Sequence, residues 1–359
     1  MNVLSLFDGM SCGQQALERA GIKVDKYFAS EIDKYAIQVT MANYPNTNQL
    51  GSVVNVDGYS LPKIDILIGG SPCQSFSFAG KRKGMSTKDE QEILTLYHYL
   101  ELKAEGFEFE GQSYLFWEYM RLLNEVKPKY FLLENVMMGE KWEKVLSKAI
   151  GVKPIMINSA LVSAQNRQRL YWTNIGLEPQ GLFGDLESII KQPKDKGILL
   201  KDVLELDVGD KYFISNKMIS TFEIHKERHL EKGSGFGFSP KNEDDKANCL
   251  RTNPAVCPTD NMIKIYGGDF RYDEGFRWRE NGKSGTLATK GGGSSSDISG
   301  CALAKIDKST VRRLTPIECE RLQTVNENYT AHVSDSQRYK MLGNGWTVDV
   351  IVHILNYIK

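Results

Sequence analysis

No apolar run in this chain reaches the length needed to cross a bilayer, which excludes a membrane-spanning helix. Net charge is also missing: 45 Lys and Arg balance 45 Asp and Glu among 359 residues. Bulk attraction to nucleic acid is thereby excluded, and any such contact must come from local patches. The opening Met-Asn-Val-Leu-Ser-Leu-Phe-Asp has no basic region and meets Asp8 too early for a signal peptide. Cysteine is scarce. Cys12, Cys73, Cys249, Cys257, Cys301 and Cys319 are scattered, with no Cys-x-x-Cys pair. A chain of this size needs no staples, so the pattern argues against disulfides and zinc and for free thiols in a reducing compartment. What remains is ordinary: 41% hydrophobic and 25% charged residues, with length for one large or two medium domains.

The chain is organised around residues 64–84. Ile64 to Ile68 is a short apolar run that reads as a buried strand. Gly69 and Gly70 end it, and Ser71 and rigid Pro72 lead to Cys73. Open α/β sheets place their chemistry at the carboxyl ends of such strands. A polar, glycine-punctuated loop follows, ending in Lys81-Arg82-Lys83-Gly84. A nucleophile ahead of a basic loop is one reading. A buried structural cysteine in an ordinary strand-loop is the other.

The N-terminal half alternates strands and helices. Val3 to Phe7 reads as a strand, Asp8-Gly9-Met10-Ser11-Cys12-Gly13 as a sharp turn, and the helix after it stops at Gly21. A second strand, Tyr27 to Ser30, ends at Glu31, eighteen residues past Gly13. Glycines that admit a ligand to the backbone, with a carboxylate for the ribose hydroxyls, suit a nucleoside-containing cofactor. The glycine spacing is not that of the dinucleotide fingerprint, and any tight turn could supply it. Helices are expected over Asp33–Asn43, Leu115–Val126 and Glu140–Ile150. Strands are expected over Tyr130–Leu133, Ile155–Val162 and Leu170–Ile175. Repeated βαβ units predict a mostly parallel sheet with helices on both faces. Three strand ends then converge: Cys73, Glu134, and Gln165-Asn166-Arg167-Gln168-Arg169.

These residues closely resemble the C5-cytosine DNA methyltransferases, especially the bacterial and phage enzymes and the animal de novo enzymes. The matching stretches run in the family's order from first strand to last helix. They are Phe7-Asp8-Gly9 with Gly13, Glu31, Gly-Ser-Pro-Cys-Gln at 70–74, Leu115-Phe116, Glu134-Asn135-Val136, and Gln-x-Arg-x-Arg at 165–169. Arg-x-Leu-Thr-Pro-x-Glu at 312–318, Arg321-Leu322-Gln323 and Leu342-Gly343-Asn344 complete the set, with Trp346 a further likeness. The resemblance implies an α/β, Rossmann-like, S-adenosylmethionine-dependent methyltransferase sheet, with helices on both faces and a smaller, irregular, β-rich target-recognition domain. It implies a Cys73 thiolate that adds to C6 of a flipped cytosine. A protonated Glu134 would bond ring N3, Arg167 would hold the base carbonyl, and Arg169 would support the site. Phe7, Asp8, Gly9, Gly13, Glu31, Ile32, Ser52, Pro72, Leu115, Asn344 and Gly345 would form the cofactor site. No metal is required. Ser52 stands where the family usually has an aspartate for the adenine amino group. Ala79 falls where a small polar residue often fills the hole left by the flipped base.

Residues 85–113 exceed the family's usual connection and read as an exposed insertion, a charged helix-like stretch followed by strand-like alternation from Phe107. The pattern changes after Gly176, where glycine clusters replace long helical periods. Residues 264–313 hold ten Lys or Arg against six Asp or Glu, and around Arg277 and Arg279 arginine alternates with aromatics. That suits DNA contact, and suits equally a hairpin with its arginines outward. Thr286 and Leu287, in a segment ending at Gly293, resemble the family's target-recognition stretch. The expected DNA contacts are Gln74, Ser77, Lys81, Arg82, Lys83, Gln165, Arg277, Arg279, Thr286 and Leu287. Cys249 and Cys257 lack His partners at metal spacing and read as ordinary small residues. Thr315 and Pro316 start a helix, and the last helical region, interrupted at Gly343-Asn344-Gly345, is expected to pack beside the first strand. The expected division is 1–177 catalytic, 178–308 target recognition, and 309–359 returning to the catalytic domain. The resemblance implies a cytoplasmic monomer acting on double-stranded DNA in a bacterial or phage-infected cell, without membrane or metal, and restriction–modification as its setting. An RNA cytosine methyltransferase, which the large region 178–305 argues against, and a non-catalytic binding relative are the alternatives.

Overall fold

Seven strands form the central sheet, and the chain enters it from the inside. In the computed structural model, described residues are 1–72, 92–109, 111–180, 185–231, 233, 237–252, 256–265, 268–271, 275–278 and 310–359. The first half runs β1 (Asn2–Leu6), α1 (Cys12–Arg19), β2 (Lys26–Ser30), α2 (Lys34–Asn43), β3 (Asn48–Gln49) and β4 (Ile66–Gly70). It continues through α3 (Leu96–Ala104), α4 (Phe116–Val126), β5 (Tyr130–Val136), α5 (Glu140–Ile150), β6 (Ile155–Asn158) and β7 (Gln168–Thr173). Sheet order is β3-β2-β1-β4-β5-β7-β6. The first five are parallel, and β7 runs antiparallel to both β5 and β6. The reversal matters for function: it brings the start of β7 beside the carboxyl end of β5, pairing Tyr171 with Glu134 and Arg169 with Val136.

The two-residue period of the strands feeds two cores. Val3, Tyr27, Ala29, Ile66 and Ile68 belong to one, with α1. Leu4, Leu6, Phe28 and Leu67 belong to the other, with α4 and α5. Each such fully buried side chain contributes about 1.5–3 kcal/mol relative to exposure. Local signals set the helix ends. The Asp33 carboxylate accepts from Tyr35 N at 2.9 Å and starts α2, and Gly151, at φ +87°, ends α5.

The insertion is not merely exposed. Tyr99 and Leu102 of α3 are buried, and Tyr99 Oη and Lys103 Nζ donate to the fully buried Glu118 at 2.6 and 2.5 Å, where Arg121 also donates. Phe109 stacks on Tyr114, with ring centroids 4.6 Å apart. A buried carboxylate needs such donors, so α3 is fastened to α4 rather than draped over it.

The second half holds β8 (Leu177–Gln180), β9 (Asp185–Ser188), α6 (Asn216–Glu231), β10 (Met262–Ile265), β11 (Gly268–Arg271), β12 (Gly275–Trp278) and β13 (Thr310–Arg313). Three antiparallel pairs form among these strands: β8 with β9, β10 with β13, and β11 with β12. Ile214, Phe222, Phe238, Met262 and Val311 make a small separate core. The sixteen-residue α6 escapes the expectation of few long helices because it buries only Phe222, which leaves almost no apolar period to read. The chain ends in α7 (Pro316–Leu322), α8 (Asp335–Asn344) and α9 (Val348–Leu355). A capping box between Thr315 and Glu318 opens α7, as expected. Val348, Ile351 and Ile354 of α9 join the core that holds Val3 and Leu17, so the chain's end does return to its first strand and helix.

Candidate active site

The turn after β1 is strained by design. Phe7, Gly9 and Ser11 have φ of 57°, 58° and 59°, a region that L side chains rarely occupy. The strain folds backbone amides toward Glu31 at the end of β2. Gly9 N donates to Glu31 Oε2 at 2.7 Å, while Ile32 N and Asp33 N donate to Oε1 at 2.8 Å each. These charge-assisted bonds orient the carboxylate and leave it lone pairs for further donors. Ile32 beside it is 70% exposed, an unusual place for a large apolar side chain. Gly13 has no alternative: a Cβ there would run into Ile68 Cδ1 and lie 2.9 Å from Tyr27 Oη. Phe7 and Leu115 are half-buried against one core. Ser52 follows Gly51, at φ +72°, and its side chain caps nothing.

Asp8 has a structural task. Its carboxyl accepts from Tyr27 Oη at 2.7 Å and from Ser11 Oγ. Burial pushes it up to about 6; Glu31 adds to this, while hydrogen bonds from Ser11, Ser5 and Tyr27 oppose it. The folded protein thus holds a proton that the unfolded chain, titrating near pH ~4, has lost. This contribution to stability is full below the unfolded value and disappears as pH rises through about 6. Asp8→Asn, neutral at every pH, is expected to gain stability relative to the parent as pH is raised across that window. Urea midpoints of the two proteins, compared on either side of it, measure the effect. A constant difference would show that Asp8 titrates normally.

At the sheet edge β4 and β5 pair Gly70 with Glu134. Asn135 Nδ2 donates to Ser71 Oγ at 3.0 Å, fixing the chain just before Pro72. Glu134 is 8% exposed and held at both oxygens. Arg169 Nε lies 2.9 Å from Oε1, and Trp346 Nε1 donates to Oε2 at 3.2 Å. A Cβ at Gly70 would come within 3.0 Å of both Glu134 Oε2 and Trp346 Nε1, so this glycine makes the space.

The two arginines exchange their expected places. Arg167 is 3% exposed, and its guanidinium donates to Gly343 O at 3.2 Å, Gly345 O at 2.9 Å and Cys249 Sγ at 3.1 Å. Its side-chain donors go to the 343–345 turn and to Cys249. Arg169 is the one that meets the carboxylate. Gln165, expected on DNA, is fully buried: Oε1 accepts from Leu250 N at 2.9 Å, and Nε2 donates to Leu322 O at 3.2 Å. Its amide is used inside the protein. Cys249 is likewise no mere small residue, since Arg169 Nη2 also reaches its sulfur, at 3.5 Å.

Asn344 is exposed at the end of α8. A Cβ on Gly345 would lie 2.8 Å from Met10 Cε and 3.3 Å from Cys12 Sγ, so this turn is seated on the glycine turn of β1. Gln323 clamps it by donating to Leu342 O at 2.6 Å and Gly345 O at 3.2 Å. Trp346, Cys249 and Gln323 were not among the expected site residues. Gln323 and Trp346 sat within motif stretches, but nothing local marked what they touch. Cys73, Gln74, Ser77, Lys81, Arg82, Lys83, Ala79, Arg279, Thr286 and Leu287 lie outside the described residues, as does the side chain of Arg277 on β12. Among the described residues no helix is long and apolar enough to cross a membrane.

A mainly parallel sheet with a carboxylate at the end of its second strand, and a buried carboxylate held by an arginine and a tryptophan at the end of β5, is the architecture of the Rossmann-like methyltransferase class. Within it the chain belongs to the C-5 cytosine-specific DNA methylases, whose family description matches residues 1–359. The family transfers a methyl group to C5 of cytosine. The type II methyltransferase M1.ScrFI of Lactococcus lactis subsp. cremoris is 28% identical over 92% of this chain and 70% of its own length. M.HpaII of Haemophilus parainfluenzae is 28% identical over 97% of this chain and 86% of its own. Among solved structures, the Entamoeba histolytica methyltransferase EhMeth shares the fold with a TM-score of 0.62 at 17% identity, covering 99% of this chain and 97% of its own.

Proposed function

We propose that this enzyme methylates a flipped-out cytosine in duplex DNA through a covalent bond between Cys73 and C6. The observation that carries the reading is Glu134, oriented by Arg169 and Trp346 at the strand end next to the one leading into Pro72 and Cys73. Cytosine C5 is a poor nucleophile. Addition of the Cys73 thiolate to C6 turns C5 into an enamine-like carbon, and a protonated Glu134 at N3 disperses the charge that builds on the ring. Arg169, rather than Arg167, then faces the base carbonyl. Loss of the C5 proton after methyl transfer expels Cys73 and restores the thiolate. The base must leave the stack for any of this, since C6 is shielded in a duplex.

S-adenosylmethionine supplies the electrophilic methyl group when bound. The protein's groups fit it: Glu31 for the ribose hydroxyls, Phe7 and exposed Ile32 for the adenine, and uncrowded Gly9 for close approach. Ser52, Pro72, Leu115, Asn344 and Gly345 complete its lining. Lys81, Arg82, Lys83, Gln74 and Ser77 contact DNA beside the reacting base, and Arg277, Arg279, Thr286 and Leu287 read its surroundings. The type II names of both relatives support a restriction–modification setting in a bacterial or phage-infected cytoplasm. The enzyme acts as a monomer.

A duplex carrying 5-fluorocytosine blocks the proton loss that releases Cys73. With cofactor present, the parent protein is expected to form a complex that survives denaturing electrophoresis, and Cys73→Ala none. An adduct formed by Cys73→Ala, or none from the parent in any cytosine context, would overturn the mechanism. Preferential methylation of tRNA over duplex would overturn the substrate.

A further inference from the structure

The geometry points to Cys249 as a positioning residue for the methyl-transfer site: its sulfur is the shared acceptor that sets the Arg167 and Arg169 guanidinium groups, and through Arg169 the Glu134 carboxyl. The inference rests on the reading of Glu134 and Arg169 as active-site groups.

Arg169 is fixed at all three nitrogens. Nε faces Glu134 Oε1 at 2.9 Å, Nη1 donates to Gln168 O at 2.8 Å, and Nη2 reaches Cys249 Sγ at 3.5 Å. Without the sulfur, Nη2 has no partner and the planar fork is held at two nitrogens instead of three. Arg167 Nη1 meets the same sulfur at 3.1 Å, and its other two contacts are neutral carbonyls. Two guanidinium cations therefore sit together with one carboxylate, which leaves an excess positive charge in a half-closed space. Protonating Glu134 for its work at N3 would leave two. The Cys249 sulfur presents its lone pairs to both cations, which a neutral acceptor can do in either stage. The thiol is tuned accordingly: burial pushes it up, but the charges of Arg167 and Arg169 outweigh this and hold it below the ordinary thiol range.

The backbone explains how the sulfur is held. Ala247 N donates to Ala164 O at 2.7 Å, Asn166 N to Ala247 O at 2.8 Å and Leu250 N to Gln165 Oε1 at 2.9 Å. The stretch carrying Cys249 is thus laid against the stretch carrying the two arginines. On its other side, Gly343 has no room for a Cβ against the Arg251 carbonyl. Cys249 lies in the half of the chain assigned to target recognition, so the contact joins that half to the catalytic carboxylate.

The test compares full-length Cys249→Ala and Cys249→Ser with the parent and with Glu134→Ala. For Cys249→Ala, kcat is expected to fall about 10- to 100-fold, the size carried by a hydrogen bond to a charged group. The KM for S-adenosylmethionine and the unfolding midpoint should stay at parent values, and Cys249→Ser, which keeps an acceptor, should recover much of the loss. Full kcat in Cys249→Ala would overturn the inference. So would a serine variant as impaired as alanine, or a kcat loss matched by a fall in the unfolding midpoint. Glu134→Ala separates the two levels of the argument. If it retains activity, the reading of the site itself fails. If it is inactive while Cys249→Ala is fully active, only the role of Cys249 fails.

Discussion

Glu134→Ala is expected to lower kcat by about two to four orders of magnitude, the range for loss of a positioned acid or base. Two consequences add up. The proton at N3 of the base has no other donor of suitable reach on β5, where Asn135 is already committed to Ser71. Arg169 and Trp346 also lose the acceptor that fixes them. Cofactor affinity should be unchanged, because Glu31 and its three amide donors lie past the ends of β1 and β2 and make no bond to Glu134. Single-turnover methyl transfer with saturating duplex, beside calorimetric titration of S-adenosylmethionine, reads both quantities. A variant with near-normal turnover would remove Glu134 from the chemistry. One that loses cofactor binding as well would mean the two ends are coupled.

Arg312→Ala is expected to destabilise the protein by about 3–5 kcal/mol, because removing one partner strands the other as a buried charge. Arg312 and Glu318 are 2% and 0% exposed and meet through two bonds, Nη1 to Oε2 at 2.8 Å and Nη2 to Oε1 at 2.6 Å. Glu318 also accepts from Thr315 N at 2.7 Å and Glu205 N at 2.8 Å, so it cannot simply turn to water. Replacing both residues by methionine should cost much less than Arg312→Ala alone, since no charge is then left behind. Urea midpoints of single and double variants decide this. A mild single variant would show that water reaches the pair.

Much of the fold was legible because the strands of the first half are continuous apolar runs punctuated by glycine, which β1, β4 and β5 need for burial on both faces. The order of the strands within the sheet was not legible, because nothing local in β1 says that it pairs with both β2 and β4. What else the sequence hid was polar. α6 offers one buried residue in four turns, and α3 carries its anchoring in Tyr99 and Lys103, residue types that read as surface until Glu118 is found beneath them. Around Glu134 the motif stretches were readable but partnership was not. Gln-x-Arg-x-Arg places two arginines on one side of a strand, and nothing in that spacing says which one meets Glu134. The answer depends on Gly343, Gly345 and Cys249, all of them distant in sequence. Gln165 failed as a DNA contact for the same reason: its acceptor is taken by Leu250 N, 85 residues on.

The parallel bridge of Gln165 to Ala247 has a consequence for anyone grafting specificity between relatives. A segment transplanted from a relative with its junction inside 245–252 would import a foreign strip into the seam that carries the contacts of Arg167 and Arg169. Its failures would look like poor catalysts rather than poor readers. Junctions placed after Thr252 and before Thr310 keep that seam native, so that a chimera's altered sequence preference can be judged apart from its turnover.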